Sequence, residues 1–224
     1  ALKPVYELWK FPPDFFVKSP TLENFTSLFN LMSNSTVPFS RYIFNTFFIS
    51  IVGTAGNVIL SSMCAYGLAK FQFKLKNTLF NLVVYALMFN AAVTAVPLFI
   101  IMKYLGLFNT YGAYILPAIA TPLGLYLMKQ FIEQMVNDSL LEAAMIDGAK
   151  QLTIFFRIVM PMVKPGWLTL IIFSFQGLWN AGGTILIVSE QIKTFSYALS
   201  QILAGGIART GAAAASAVLM MIVP

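Results

Sequence analysis

YIFNTFFISIVGTAGNVILSSMCAYGLA, residues 42–69, contains no Asp, Glu, Lys or Arg. A helix needs about 20 apolar residues to cross the hydrocarbon core of a bilayer, and this run exceeds that length. Working outward, residues 77–102, 104–128 and 165–189 are equally free of charge, and a fifth apolar run occupies 210–224. A soluble helical protein can bury one such run, but four complete runs and a shorter fifth predict an all-α, polytopic transmembrane bundle. Composition points the same way. Of the 224 residues, 58% are hydrophobic and 10% charged, where a soluble domain carries about 25% charged residues.

The same composition excludes much chemistry. There is no His and a single Cys, Cys64. A zinc site of the usual His/Cys type, a Ser-His-Asp or Cys-His nucleophile and an internal disulfide are therefore all ruled out. No phosphate-cradling G-x-x-x-x-G-K-S/T is present, and Gly205-Gly206 reads as a turn. The expectation is no catalytic residue, no metal ligand and no cofactor in this chain. The net charge of +6 is spread through loops. That suits an anionic lipid surface, and no basic run resembles a nucleic-acid site.

Residues 1–40, with five prolines, form a mixed polar and aromatic segment, read as external and amphipathic. Within it, Thr21–Asn30 sets Leu22, Phe25, Leu28 and Phe29 on one helical face, with Thr21 as cap. Such a helix lies on the membrane, against a partner, or packed on its own chain. Residues 41–224 form the transmembrane domain. Lys70, Lys74 and Lys76 follow the first long run at once, and short lysine-rich turns favour the cytoplasm. That places 129–164 in the cytoplasm and 1–40, 103–110 and 189–209 outside. A full count gives seven Lys and Arg on each side, so the cluster alone carries the orientation. Pro117 and Pro122 predict a kinked or partly unwound third span.

The charged interruption at 129–164 divides into two short helices. Ser139 and Glu142 have capping-box spacing, which starts a helix at Leu140. Gly148 is placed to end it in the left-handed conformation. Leu152–Met160 carries an apolar stripe of Ile154, Phe155, Ile158 and Val159, and Pro161 and Pro165 stop it. The first helix reads as a knob. Ala143 and Ala144 permit close approach, while Glu142 and Asp147 meet basic or amide groups of a partner. On spacing alone, the alternative is a plain capped helix rich in alanine.

Residues 142–161, EAAMIDGAKQLTIFFRIVMP, carry Glu142, Ala143, Ala144, Gly148, Ile158 and Pro161 at the spacing E-A-A-x3-G-x9-I-x-L-P. This resembles the signature loop of bacterial ABC-importer permeases, with Met160 where Leu is usual. NTFFIS at 45–50, SMCAYGLAKFQF at 62–73, YLGLFNTYGAYILP at 104–117 and FSFQGLWN at 173–180 resemble the second permease of maltose-type carbohydrate importers. The resemblance implies a bundle of the type I importer permease kind, with about five of six spans here and one before Ala1. It implies a coupling helix of Glu142, Ala143, Ala144, Asp147 and Gly148 that docks on a cytoplasmic ATPase. ATP and Mg would then be bound by that partner. A second homologous permease, an extracytoplasmic solute-binding protein, a carbohydrate substrate and the bacterial cell membrane complete the implied setting.

Polar residues within spans tend to face a cavity or a neighbour. Asn57, Asn90, Gln176 and Asn180 are candidates, and Trp179 adjoins Asn180. A Trp beside carboxamides suits a sugar, whose hydroxyls take directional hydrogen bonds and whose C–H faces lie on aromatic rings. The alternative is interhelical packing. Relatives often carry an acidic residue and an aromatic after the Trp-Asn pair, where this chain has Ala181-Gly182-Gly183. The small residues of 211–217 let helices pack closely, within this subunit or against the second permease. The rival functions are an importer permease for a non-sugar solute and a self-sufficient secondary carrier. The carrier usually needs ionisable residues inside its spans, and the four complete runs have none.

Overall fold

The computed structural model describes residues 1–4, 7, 11, 17, 19–33, 37–182, 184–206 and 209–221, and among these all regular structure is helical. Two compact units arise, Ala1–Phe48 with Trp179–Pro224, and Ile49–Leu178.

The long helix α2 (Phe39–Lys70) runs through the first uncharged stretch and passes from one unit into the other. Its faces are reversed relative to a soluble helix. Thr46, Ser50, Thr54, Asn57 and Ser61, three or four residues apart, are all buried, whereas Phe44, Phe48, Ile51 and Ile59 are exposed. Polar groups gathered inward and hydrocarbon turned outward is the arrangement a bilayer selects.

In the unit Ile49–Leu178, the second run is not one rod. It forms α3 (Lys76–Met88) and α4 (Ala91–Tyr104), which diverge by 115°. The break is local chemistry: Phe89 and Asn90 are extended, and the Asn90 side chain accepts the Ala92 N–H at 2.9 Å. The third run is interrupted at Ala120–Thr121, as its prolines predict, giving α5 (Gly112–Ile119) and α6 (Pro122–Met135). Two short helices follow, α7 (Asp138–Ile146) and α8 (Gln151–Met162), then α9 (Lys164–Trp179), bent by 82° from α8. Their core is continuous. Ala65 and Tyr66 of α2, Met128 and Ile132 of α6, Leu141 of α7, Ile154 and Val159 of α8 and Leu170 of α9 pack together.

Pro161 does not stop α8. The helix runs on to Met162 through a π turn at Phe155–Val159, and Pro165 sits in the first turn of α9. The wider turn accommodates a proline inside the helix, which a regular α ladder resists. α9 ends ten residues before the uncharged run does, because residues after Trp179 are tied down elsewhere: Thr194 Oγ1 donates to Ala181 O and Ser196 Oγ to Asn180 O. Gly183 lies outside the described residues.

In the other unit, α1 (Glu23–Ser33) begins where Thr21 Oγ1 accepts the Glu23 N–H at 3.1 Å. Only part of the expected face is covered. Leu28 is fully buried against Ala212 and Ala215 of α11 (Thr210–Met221), while Leu22 and Phe29 are exposed. The small-residue stripe of α11 thus receives a helix of its own chain. The helix α10 (Phe195–Ala204) follows a 3-10 turn at Glu190–Ile192. Asn45, buried, fastens this region to the start of α2 by donating to Gln191 O and Lys193 O at 2.8 and 2.9 Å.

Among the described residues, α2 and the stretch Gly112–Met135, α5 and α6 together, are long and apolar enough to cross a membrane, and two bent pairs, α3 with α4 and α8 with α9, pass together. The straight pieces are fewer than the uncharged runs suggested, and the total is reached only with bends.

Candidate functional site

α7 starts two residues earlier than a Ser139 capping box predicts. Its N-cap is Asn137, no side chain caps it, and Ser139 lies in the first turn. The cause is Lys70, at the end of α2. Its Nζ donates to Val136 O at 2.5 Å and to Asp138 Oδ1 at 2.6 Å, which fixes the chain on both sides of the helix start. The hydrogen bond from Lys70, with its charge, holds the Asp138 carboxyl below the usual carboxylate value. An acidic residue in the first turn also favours the helix dipole.

The other end forms as expected. Gly148 has φ +80°, its N–H donates to Met145 O, and the Ala149 N–H donates to Ala144 O. These paired bonds are the Schellman termination. A Cβ at Gly148 would meet nothing within 4 Å, so the backbone conformation alone calls for glycine.

The knob has a defined outer face. Ser139, Glu142, Ala143 and Ile146 occupy i, i+3, i+4 and i+7, and all four are exposed. Ile146 is 86% exposed, an unusual state for such a side chain. Leu141 is buried, and Ala144 is half-buried against the core, so of the two alanines Ala143 is the outward one. Asp147 and Gly148 are exposed beside this face.

Sequence reasoning missed what holds the knob. Tyr66 OH donates to Gln151 Oε1 at 3.0 Å, and Gln151 Nε2 donates to Met145 Sδ at 3.2 Å. The Tyr66 and Phe155 rings lie 5.6 Å apart. Lys70, Tyr66 and Gln151 thus join the end of α2 to both short helices. Lys70 was legible only as a topological charge, and the others gave no signal.

The path candidates are in different settings. Trp179 is buried, its Nε1 donates to Met220 O at 3.1 Å, and its ring stands edge-on to Phe47 at 5.0 Å. Asn180 is exposed in the turn ending α9, and its carbonyl accepts from Ser196. Gln176 is exposed on α9. Asn90 is exposed and caps α4. Asn57 is buried and bonded to Ser174, Ser61 and Thr121.

The protein LplC of Bacillus subtilis is 36% identical over 74% of this chain and 53% of its own length. The sulfoquinovosyl glycerol transport system permease protein SmoH of Agrobacterium fabrum is 32% identical over 80% of this chain and 62% of its length. The arabinooligosaccharides transport system permease protein AraQ of Bacillus subtilis is 33% identical over 91% of this chain and 72% of its length. The chain therefore spans between about half and three quarters of these relatives. A bacterial ABC transporter involved in the import of the acidic polysaccharide alginate shares the fold, with a TM-score of 0.76 at 22% identity over 88% of this chain and 74% of that one. Residues 57–224 match the family described as binding-protein-dependent transport system inner membrane component, and this multi-pass bacterial membrane protein belongs to it.

Proposed function

We propose that the protein is a transmembrane subunit of an ATP-driven importer, carrying a carbohydrate across the cell membrane. The observation that carries the reading is the outer face of α7. Its exposed Glu142, Ala143 and Ile146 stand on a helix fixed at one end by Lys70 and at the other by Gly148. An exposed apolar side chain on a rigid, closely approachable helix is a surface to be covered. The occupant is a cytoplasmic ATPase, which binds ATP and Mg and performs the hydrolysis. This chain supplies no catalytic residue. Closure of two ATPase subunits pushes α7, and through α8 and α9 the bundle opens outward. A second homologous permease completes the path, and an extracytoplasmic solute-binding protein delivers the solute.

The carbohydrate class rests on the relatives, whose names specify arabinooligosaccharides and sulfoquinovosyl glycerol. Asn180 and Gln176 are each exposed and carry carboxamides, a group that bonds hydroxyls. A phosphorylated polyol is the second reading, since another relative is an sn-glycerol-3-phosphate permease.

The test is a cross-link. In the full-length protein, with Cys64 replaced, a cysteine at Ile146 should join covalently to a copurifying ATPase subunit in membranes. Failure to capture any nucleotide-binding partner would remove the reading. Stimulation of hydrolysis by a panel of oligosaccharides and polyol phosphates then decides the solute.

A further inference from the structure

Within the unit Ile49–Leu178, the Asn57 carboxamide is 1% exposed and is the meeting point of three hydroxyls. Its Oδ1 accepts from Ser61 Oγ at 2.7 Å and from Thr121 Oγ1 at 3.0 Å, and its Nδ2 donates to Ser174 Oγ at 2.5 Å. The hydroxyls come from α2, from the break between α5 and α6, and from α9. Gly124, in the first turn of α6, lets the node close. A Cβ there would stand 2.7 Å from Ser61 Oγ, 2.8 Å from Asn57 Oδ1 and 3.0 Å from Thr121 Oγ1.

Thr121 behaves oddly for its position. It is the N-cap of α6 and precedes Pro122, where a threonine ordinarily accepts a hydrogen bond from a first-turn amide. No such bond is made, and its hydroxyl donates to Asn57 across the fold. The break is thus secured from outside rather than by its own cap. Inside a bilayer no water replaces a lost partner, so the carboxamide either keeps this set or exchanges it as a group.

We propose that Asn57 is a positioning residue of the transport cycle, pinning the α5–α6 break to α2 and α9. α6 ends at Met135 and α7 begins at Asp138, so a push on α7 reaches α6 directly. With the break pinned, α6 carries that push to the helices beside it. Unpinned, Ala120 and Thr121 absorb it by turning. The consequence for transport rests on the coupling reading above; the pinning does not.

The lone cysteine of the chain supplies the probe. Cys64 is exposed and lines, with Ser61 and Thr121, one apolar groove of about 700 Å³. In the full-length complex in lipid nanodiscs, the rate of Cys64 modification by N-ethylmaleimide is read by peptide mass, and uptake per ATP in proteoliposomes. Asn57→Leu and the near-isosteric Thr121→Val should each change the Cys64 rate on the order of five-fold, the scale of one buried hydrogen bond. Both should lower uptake per ATP, and Thr121→Ser should restore the native values. The double variant should be no worse than Asn57→Leu, because the two remove one shared interaction. A native Cys64 rate in Thr121→Val, or effects that add, overturns the pinning. A shifted rate with native uptake per ATP overturns the role in transport. The ATPase reading fails separately, when Ile146 captures no partner.

Discussion

Ile146 on α7 is 86% exposed and Trp179 at the end of α9 is 4% exposed, although both are large apolar side chains in segments rich in small and amide residues. The fold has spent Trp179 already: its N–H has a carbonyl and its ring a Phe edge. Among the described residues, nothing covers Ile146 to that degree. On the proposed reading, α7 presents a surface whose energy is gained on assembly, while the end of α9 has gained most of its energy in folding. Mutations in the two places should consequently be read by different instruments, one by binding and coupling, the other by stability.

The largest effect separates them at once. Trp179→Ala removes a packed indole and leaves a void, a change of about 3–5 kcal/mol for a large aromatic. The expectation is a marked fall in the melting temperature of the purified complex, with uptake lost in proportion to protein lost. Undiminished melting with a raised KM for sugar would return Trp179 to the solute path. Ala143→Asp should do the converse. It puts an unpaired charge into the surface to be covered, at a cost of about 3 kcal/mol when left uncompensated. ATPase copurification should fall on the order of 100-fold, with unchanged melting of the membrane subunits. Ala144→Asp is the less clean probe, since Ala144 faces its own core.

Gly148→Val comes next. The added side chain has room, so the whole cost is the left-handed backbone, about 1–3 kcal/mol. Hydrolysis stimulated by solute should drop while Gly148→Asn, tolerant of that conformation, stays near native. Equal behaviour of the two variants would show that the Schellman turn does not aim α7.

The smallest effect is titration of Asp138. Its folded-state pKa is depressed, first by the Lys70 hydrogen bond and then by the Lys70 charge. A depressed carboxylate contributes stability above its unfolded value of 3.8 and loses it as pH falls through the lower folded value. Docking should thus be insensitive to this group at neutral pH and weaken only in strong acid. Asp138→Asn should abolish that acid limb and carry its small loss at neutral pH as well.

Much of this was legible in sequence because hydrocarbon length is a one-dimensional signal. Uncharged runs located the helices, Pro117 and Pro122 the interrupted span, and Gly148 the left-handed end of α7. The failures share a cause. Asn90 breaks a span by capping α4, Lys70 moves the start of α7, and Thr194 and Ser196 hold the residues beyond α9. Each is a side chain meeting the backbone at a place fixed by folding, which spacing does not record. The residues expected to couple fall together on α7 and its C-terminal end because their motif is local. The buried state of Trp179 was not, because Met220 lies far away in the chain.

The π turn at Phe155–Val159 bears on how this loop tolerates change in length. A π turn holds one residue more than the α turn it replaces, so it marks a place where a single residue can be gained or lost without breaking the helix. Here it falls between Gly148 and Pro161, inside the signature spacing. Deleting one residue inside it would restore regular α geometry and leave both flanks close to their present phase, because the surplus residue is what the wider turn absorbs. Deleting one in the regular turn at Gln151–Ile154 would instead rotate Gln151 away from Tyr66 by about 100°, the advance of one residue in a helix of 3.6 per turn. The spacing of this loop is thus a phase as much as a distance, forgiving at one turn and exacting at the next.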